Sequence, residues 1–401
     1  MHIKPELEPV PPVGAAECHG LGTHVCHLGR VVIMVAQLTI VATCPPTGRR
    51  KATDLEEEPM PTHHLGYQIA IGVIFGCLLL GCGASSPPSR PGLQPVKLQL
   101  NWVPEAEHGG FYAALEHGFY EQMGLDVEII PGGVSAPVTQ QLAMNRVQFG
   151  VMNADWVILG RNNDAKIKAL MAPIQDSPRC LLVRPEAQIH SLADFRDITL
   201  AAKPEDPFLE FTRQALGWEQ KNVTVVPYLS MQAFFSNEKY AQQGYSFSEP
   251  FLARAQGIEP VVLMVSELGY NPYTSCLVAD QSLIHSDPAL VRKFVQASIR
   301  GWERYLADPE STNRRISQLN PDQTMDSLNF ALEDIRRLCR WDEQLQRAPL
   351  PVGTMERDRF VDLGKSLAQI GFISTSDPSI YEQAFTLEFL PEQPESPPGA
   401  E

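Results

Sequence analysis

From Val96 onward the chain alternates strand-like and helix-like segments, and that grammar restricts it to layered α/β architectures. Val96, Leu98 and Leu100 alternate with Lys97, Gln99 and Asn101, the period-2 pattern of a half-buried strand. Helical patterns follow over 109–123, 136–146 and 156–161, and strands over 125–130, 148–152, 167–172 and 179–183. A second series opens at Ser191, where Ser191 and Asp194 have the spacing of a capping box. It predicts strands over 197–202, 222–227, 244–248 and 260–265, with helical stretches over 207–216, 231–243 and 249–256. The segment 274–279 then returns as a strand. A long helix over 287–306 carries Leu290, Phe294, Ile299, Trp302 and Leu306 on one side, and the remainder reads as helical.

This order predicts two α/β lobes with mostly parallel sheets. Lobe 1 is built from 96–184 and 274–390, and lobe 2 (185–273) is inserted between them, leaving 391–401 as a tail. Two chain crossings imply a hinge, and a hinge between lobes leaves a cleft that closure can bury. A length of 401 residues suits two domains of roughly 100–200 residues and a leader. With 47 acidic against 32 basic side chains, the net charge of -15 argues against nucleic acid, whose phosphates need clustered Lys and Arg. The eight cysteines are scattered without C-x-x-C pairs, so neither a metal site nor a cofactor is expected. Cys180, Cys276 and Cys339 are expected to be buried thiols.

The first 81 residues read as a leader. An apolar run over 66–81 is shorter than the roughly 20 residues of a membrane span. It ends in Leu79, Leu80, Gly81 and Cys82, which resembles the lipobox at which bacterial lipoproteins are cleaved and lipidated on cysteine. The Ser- and Pro-rich stretch over 82–95 then serves as a tether. The basic region expected before such a run is poor, and Met60 offers a second start. The alternative, a buried helix of a globular domain, lacks neighbouring strands or helices in the first 95 residues to pack on.

Four groups of residues carry a family resemblance. The stretch Leu98, Gln99, Leu100, Asn101, Trp102, Val103, Pro104, Glu105, Ala106, Glu107, His108, Gly109, Gly110 leads into Glu116, His117, Gly118, Phe119 and Tyr120. Later come Gln148 to Asp155, Ser248 to Phe251, and Asp287 to Phe294. Over about 96–310 these residues resemble the solute-binding proteins of ABC importers for nitrate, sulfonates, taurine and thiamine pyrimidine precursors, with the related eukaryotic pyrimidine-precursor synthases. The resemblance implies a two-lobed periplasmic-binding-protein fold of type II that passes its ligand to a membrane permease. It implies an extracytoplasmic monomer, held to the cell envelope by lipid at Cys82 and without catalysis of its own. The Asn101-Trp102 form looks closest to the branch that binds thiamine pyrimidine precursors, where an aromatic ring stacks on the pyrimidine and carboxylates or amides bind its nitrogens. Receptors for riboflavin or sulfonates are the alternatives. A synthase-like enzyme is the alternative of another class, and the cysteine-rich segment of those synthases has no counterpart here.

The candidate ligand contacts follow from position. Asn101, Trp102, Glu105 and His108 come after the carboxyl end of the first strand, where open α/β sheets place ligands. Trp102 offers a flat face to a heteroaromatic ring, although it could equally be core, Glu105 a solvated loop acid and His108 a satisfied surface residue. Asn153, Asp155 and Trp156 follow the third strand, with Asp155 also suited to capping the next helix. Glu249 would approach from lobe 2, or simply begin its helix. Tyr273 stands beside the return crossing, where it would close over a ring or pack the hinge. Gly132, Gly133 and Ser135 form a loop that is either an anion seat or a plain turn. Tyr228, Phe234, Phe235, Tyr240, Tyr245 and Phe247 make lobe 2 rich in aromatics, most of them expected in the core.

Overall fold

The computed structural model describes residues 91–391 apart from 134, 135, 346, 375 and 376. The expected leader, Cys82, most of the tether, Ser135 and all but the first residue of the tail lie outside the described residues. The chain begins with β1 (Gln94–Gln99), α1 (Gly109–Glu116), α2 (Phe119–Gln122), β2 (Leu125–Ile130), α3 (Val138–Ala143), β3 (Phe149–Met152), α4 (Ala154–Asn162) and β4 (Ile167–Met171). It continues with β5 (Arg179–Val183), β6 (Ile198–Ala202), α5 (Pro207–Leu216), β7 (Val223–Pro227), α6 (Gln232–Ser236), β8 (Tyr240–Tyr245), α7 (Glu249–Ala255) and β9 (Val261–Met264). It closes with β10 (Cys276–Asp280), α8 (Gln281–Ser286), α9 (Pro288–Ala307), α10 (Glu310–Leu319), α11 (Met325–Leu338), α12 (Arg357–Gln369) and α13 (Ser379–Glu382).

Two five-stranded sheets result, ordered β2-β1-β3-β10-β4 and β7-β6-β8-β5-β9. Each repeats one plan. Three strands run parallel, β2-β1-β3 in the first sheet and β7-β6-β8 in the second. A fourth strand, β10 or β5, arrives from the other lobe and pairs antiparallel on both sides. Both sheets are therefore mixed, a correction to the expectation of mostly parallel pairing: a strand that enters straight from a crossing runs against its hosts.

The same fact corrects the lobe boundary. β5 lies inside the segment 96–184 assigned to lobe 1, yet it is hydrogen-bonded into the second sheet. The first crossing therefore falls between Met171 and Arg179. The return crossing runs between Met264 and Cys276, and the two touch where Thr274 N–H donates to the Ile174 carbonyl at 3.1 Å. Lobe 2 thus joins lobe 1 through two antiparallel connections laid side by side, the arrangement of a hinge.

The first lobe's core centres on α9, whose N-terminus is capped by the Asp287 carboxylate accepting from Leu290 N–H at 3.0 Å. Phe294 on that helix stacks on Phe149 at 4.0 Å and on Tyr120 at 4.7 Å. Helix α1 lies so close to α9 that a Cβ on Gly110 would sit 2.1 Å from the Trp302 ring, and one on Gly109 would sit 2.1 Å from Tyr305. The Gly-Gly pair is thus a packing device that brings α1, and the loop before it, down onto the lobe. A second core runs from α4 and β10 through β5 and β6 to α12, so apolar packing is continuous across the crossings. Cys180, Cys276 and Cys339 are buried free thiols, as the sequence suggested.

Candidate functional site

The loop after β1 is built before any ligand arrives. The Gln99 side-chain amide donates to the carbonyls of Leu100, Ile130 and Pro131 at 3.0–3.3 Å. Gly132 N–H donates to the Trp102 carbonyl at 2.8 Å, and the Asn320 amide holds the Pro104 carbonyl at 2.9 Å. This leaves Trp102 partly exposed and turns Glu105, Glu107 and His108 inward, all three buried. His108 Nε2 lies 3.0 Å from Asn101 Oδ1 and 3.3 Å from Glu107 Oε1. The Glu107 carboxylate also accepts from the Ser275 hydroxyl at 3.1 Å and from the Asn101 amide at 3.5 Å.

The start of α4 supplies the next groups. Asn153 accepts from Ser275 N–H at 3.2 Å through Oδ1 and donates through Nδ2 to the Tyr245 hydroxyl at 2.8 Å. Asp155 is fully buried and accepts from Trp156 N–H at 2.8 Å and from the Tyr270 hydroxyl at 3.0 Å. Trp156 receives the Lys203 ammonium 4.7 Å above its ring.

Lobe 2 closes the other side. Glu249, the first residue of α7, accepts from Tyr245 N–H at 2.6 Å. Arg179, at the head of β5, is nearly inaccessible; it pairs with Asp206 at 2.8 Å and lies over Phe208 at 4.5 Å and near Tyr245 at 5.7 Å. Further links besides Asn153–Tyr245 join the halves: Lys203 over Trp156, the Ser246 hydroxyl on the Asp334 carboxylate, and Phe251 and Arg254 against the Phe330 ring. The lobes are in contact in this structure. A small pocket at their junction, lined by Glu105, Ala106, Phe247, Ser248, Phe251 and Gln323 among others, has about 20 Å³ of room, enough for water and too little for a nutrient.

Electrostatically the site is acid-rich and poor in counter-charge. Burial, with Glu107 and Glu249 adding repulsion, holds the Glu105 carboxyl well above the usual range. Burial pushes Glu107 up to about 7, against the Ser275 and Asn101 hydrogen bonds, and Glu249 up to about 7 against backbone hydrogen bonds. His108 is pushed down to about 3 by burial, so its 3.3 Å contact with Glu107 is made by a neutral imidazole and is no ion pair. Asp155 is also raised by burial, with Arg179 opposing. Arg179 remains charged, since Asp206, Tyr245 and Asp155 outweigh its desolvation.

The structure therefore gathers Asn101, Glu105, His108, Asn153 and Asp155 from lobe 1 and brings Glu249 to within electrostatic reach of Glu105 from lobe 2. Trp102 and Trp156 stand at the same strand ends, both partly exposed. Tyr273 does not join them. Its hydroxyl accepts from Glu356 N–H at 3.0 Å, Arg359 covers its ring at 3.8 Å and Phe360 packs 5.7 Å away, so the expected ring-closing residue is a hinge-packing one. The Gly132 loop is a plain turn as far as it is described, because Gly132 N–H is already used by Trp102. Glu107, Arg179 and Ser275 were missed, while Tyr245 was named only as one of the lobe 2 aromatics. Glu107 lay between two chosen residues, Glu105 and His108, and its place just before α1 was the available signal.

The profile described as NMT1/THI5-like matches residues 105–312, which is more than half of the chain. The chain belongs to the NMT1/THI5-like family. This NMT1/THI5-like protein is 25% identical over 346 residues to the riboflavin-binding protein RibY of Chloroflexus aurantiacus, covering 80% of the present chain and 97% of that one. It is 21% identical over 272 residues to a formylaminopyrimidine-binding protein of Halalkalibacterium halodurans, covering 66% and 80% respectively. Among solved structures, the periplasmic aliphatic sulphonate binding protein SsuA of Escherichia coli superposes with a TM-score of 0.57 at 12% identity, over 79% of this chain and 98% of that one. The NMT1/THI5-like chain thus has the two-lobed periplasmic-binding-protein fold, with a hinge between the lobes.

Proposed function

We propose that this protein is the solute-binding lipoprotein of an ABC importer, capturing a small nitrogen heteroaromatic nutrient between its lobes, with a thiamine pyrimidine precursor as the first candidate. The observation that carries the reading is the set of carboxyls, buried Glu105 and Glu107 from one lobe and half-buried Glu249 from the other, with Asn101, His108 and Asn153 beside them. Carboxyls raised toward neutrality can donate or accept, which suits the amino groups and ring nitrogens of an aminopyrimidine. They oppose a sulfonate or nitrate, whose negative charge would add to repulsion that the site already carries. Trp102 offers a stacking face, and Tyr228 and Tyr245 add aromatic surface near the acids. Relatives named as binding proteins support capture in preference to turnover by a synthase-like enzyme.

Riboflavin is the second reading, favoured by the relative that this chain covers over 97% of its length. The isoalloxazine ring contains a pyrimidine-dione edge, so the same carboxyls would address it. In either case ligand contacts from both lobes shift the population toward the closed form, and the closed surface engages a permease. Lipid at Cys82 would keep a monomeric receptor on the extracytoplasmic face of the membrane.

A thermal-shift screen of the purified protein against formylaminopyrimidine, riboflavin, aliphatic sulfonates and nitrate tests this. Ligand at 100 times its dissociation constant stabilises by about 2.7 kcal/mol. Stabilisation by formylaminopyrimidine supports the first reading and by riboflavin the second; stabilisation by a sulfonate alone overturns the heterocycle.

A further inference from the structure

We propose that Ser275 is a positioning residue for ligand capture, tying the Glu107 carboxyl to the Asn153 amide so that the acid site and the contact between the lobes move together. The proposal rests on the receptor reading for its purpose, while its geometry stands alone.

Ser275 immediately precedes β10, at the end of the return crossing, and is completely buried. Its φ is +54°, in the left-handed region that side chains other than Gly, Asn and Asp rarely occupy. Among the described residues, the other non-glycine positions with positive φ, Asn145, Asp164, Gln188, Asp197, Asn222 and Arg340, are all exposed. A strained conformation kept in the interior has to be held by its surroundings, and such residues cluster at binding and switch sites.

The strain aims two donors of one residue at two different partners. Ser275 N–H donates to Asn153 Oδ1 at 3.2 Å, and Ser275 Oγ donates to Glu107 Oε2 at 3.1 Å. From Asn153 the chain of hydrogen bonds continues through Nδ2 to the Tyr245 hydroxyl, and Tyr245 N–H reaches the Glu249 carboxylate. The acids Glu107 and Glu249 of the two lobes are therefore connected through Ser275, the residue before β10. Any rotation of lobe 2 that breaks Asn153–Tyr245 frees the Asn153 amide, and Ser275 carries that change to Glu107.

Glu107 is the group whose protonation should report this. Facing it are Glu105 and His108 from its own turn, Glu249 from α7, Arg179 from β5 and Tyr245 from β8. Burial raises it most, and the Ser275 hydrogen bond is the largest influence holding it down.

The test uses the full protein with 13C-labelled Glu carboxyls and 15N-labelled Asn side chains, titrated by NMR without ligand, with Glu107→Gln and Asn153→Ala identifying the two signals. Ser275→Gly adopts the positive φ freely, so the fold is kept while the hydroxyl is lost. The Glu107 midpoint is expected to rise by about half a pH unit or more in Ser275→Gly and equally in Ser275→Ala. In the wild type the Asn153 amide should follow the Glu107 midpoint, and in both variants it should cease to. An unmoved midpoint in Ser275→Gly, or an Asn153 signal that still follows Glu107 there, overturns the proposal. Since no ligand is added, these outcomes are separate from a failure to find any bound solute, which would overturn the receptor reading instead.

Discussion

The Tyr245 hydroxyl and the Asn153 side-chain amide meet at 2.8 Å, joining the last residue of β8 in one sheet to the start of α4 beside the other. Both ends are fixed by other contacts, Tyr245 by Glu249 and Asn153 by Ser275. The bond therefore ties lobe 2 to lobe 1 between two fixed ends.

Tyr245→Phe removes the hydroxyl and leaves one Asn153 N–H to water. A net hydrogen bond is worth about 0.5–1.5 kcal/mol, so affinity for the captured heterocycle should fall about 2- to 12-fold. Calorimetry reads the affinity. Small-angle scattering of the ligand-free variant should show a larger radius of gyration, because the open form gains population.

The acids impose a pH dependence with a definite sign. Glu107 and Glu249 are raised from 4.5 to about 7 in the fold, so between these values the folded protein binds more protons than the unfolded chain. Stability contributed by them is fully present below pH 4.5 and lost as pH rises through about 7. Glu107→Gln should therefore melt higher than wild type at pH 8, by roughly 1–3 kcal/mol, and lose the advantage by pH 4.5. Urea unfolding at both pH values checks the difference, in which the titrations of groups remote from Glu107 cancel while that of Glu105, which Glu107 raises, does not.

Arg179 is a buried cation paired with Asp206. Arg179→Met leaves Asp206 without its 2.8 Å partner and removes the charge opposing the raised Asp155. Breaking a buried pair from one side costs about 3–5 kcal/mol. An unfolding free energy from urea titration lowered by that amount is expected, whereas a change under about 1 kcal/mol would mean the pair is solvated.

Gly110→Ala tests the packing of α1 on α9, since its Cβ would fall 2.1 Å from Trp302. Overpacking of this kind costs about 1–3 kcal/mol. The melt should drop accordingly, and ligand affinity should fall with it because the Glu105–His108 turn is carried on α1.

Cys82→Ala tests the anchor. Loss of acyl labelling and release of the protein from the membrane fraction are expected; retention of both would mean another segment holds the chain there.

Much of this architecture was legible because burial writes itself into periodicity. Val96, Leu98 and Leu100 alternate since one face of β1 is more deeply buried, and Leu290, Phe294, Trp302 and Leu306 recur at helical spacing along α9. β5 was placed in the wrong lobe because all five of its residues are buried, and an apolar run says nothing about which sheet receives it. The helical pattern over 231–243 failed at Tyr240–Tyr245, where Gln242 is buried in a strand by tertiary pairing that no local pattern encodes. At the site, strand ends pointed to Asn101, Glu105, His108 and Asn153. Arg179 and Ser275 were not legible, and Tyr245 was legible only as an aromatic of lobe 2, since their contacts arise only when two distant segments cross.

The most direct measurement is calorimetric titration of formylaminopyrimidine, riboflavin and an aliphatic sulfonate into wild-type protein and the Glu105→Gln/Glu249→Gln double variant. Saturable one-to-one binding of a nitrogen heterocycle, weakened at least tenfold in a double variant that melts no lower than wild type, is the predicted result. Heterocycle binding that ignores the double substitution, or tight binding of the sulfonate alone, would contradict capture of a heteroaromatic nutrient by acids from both lobes.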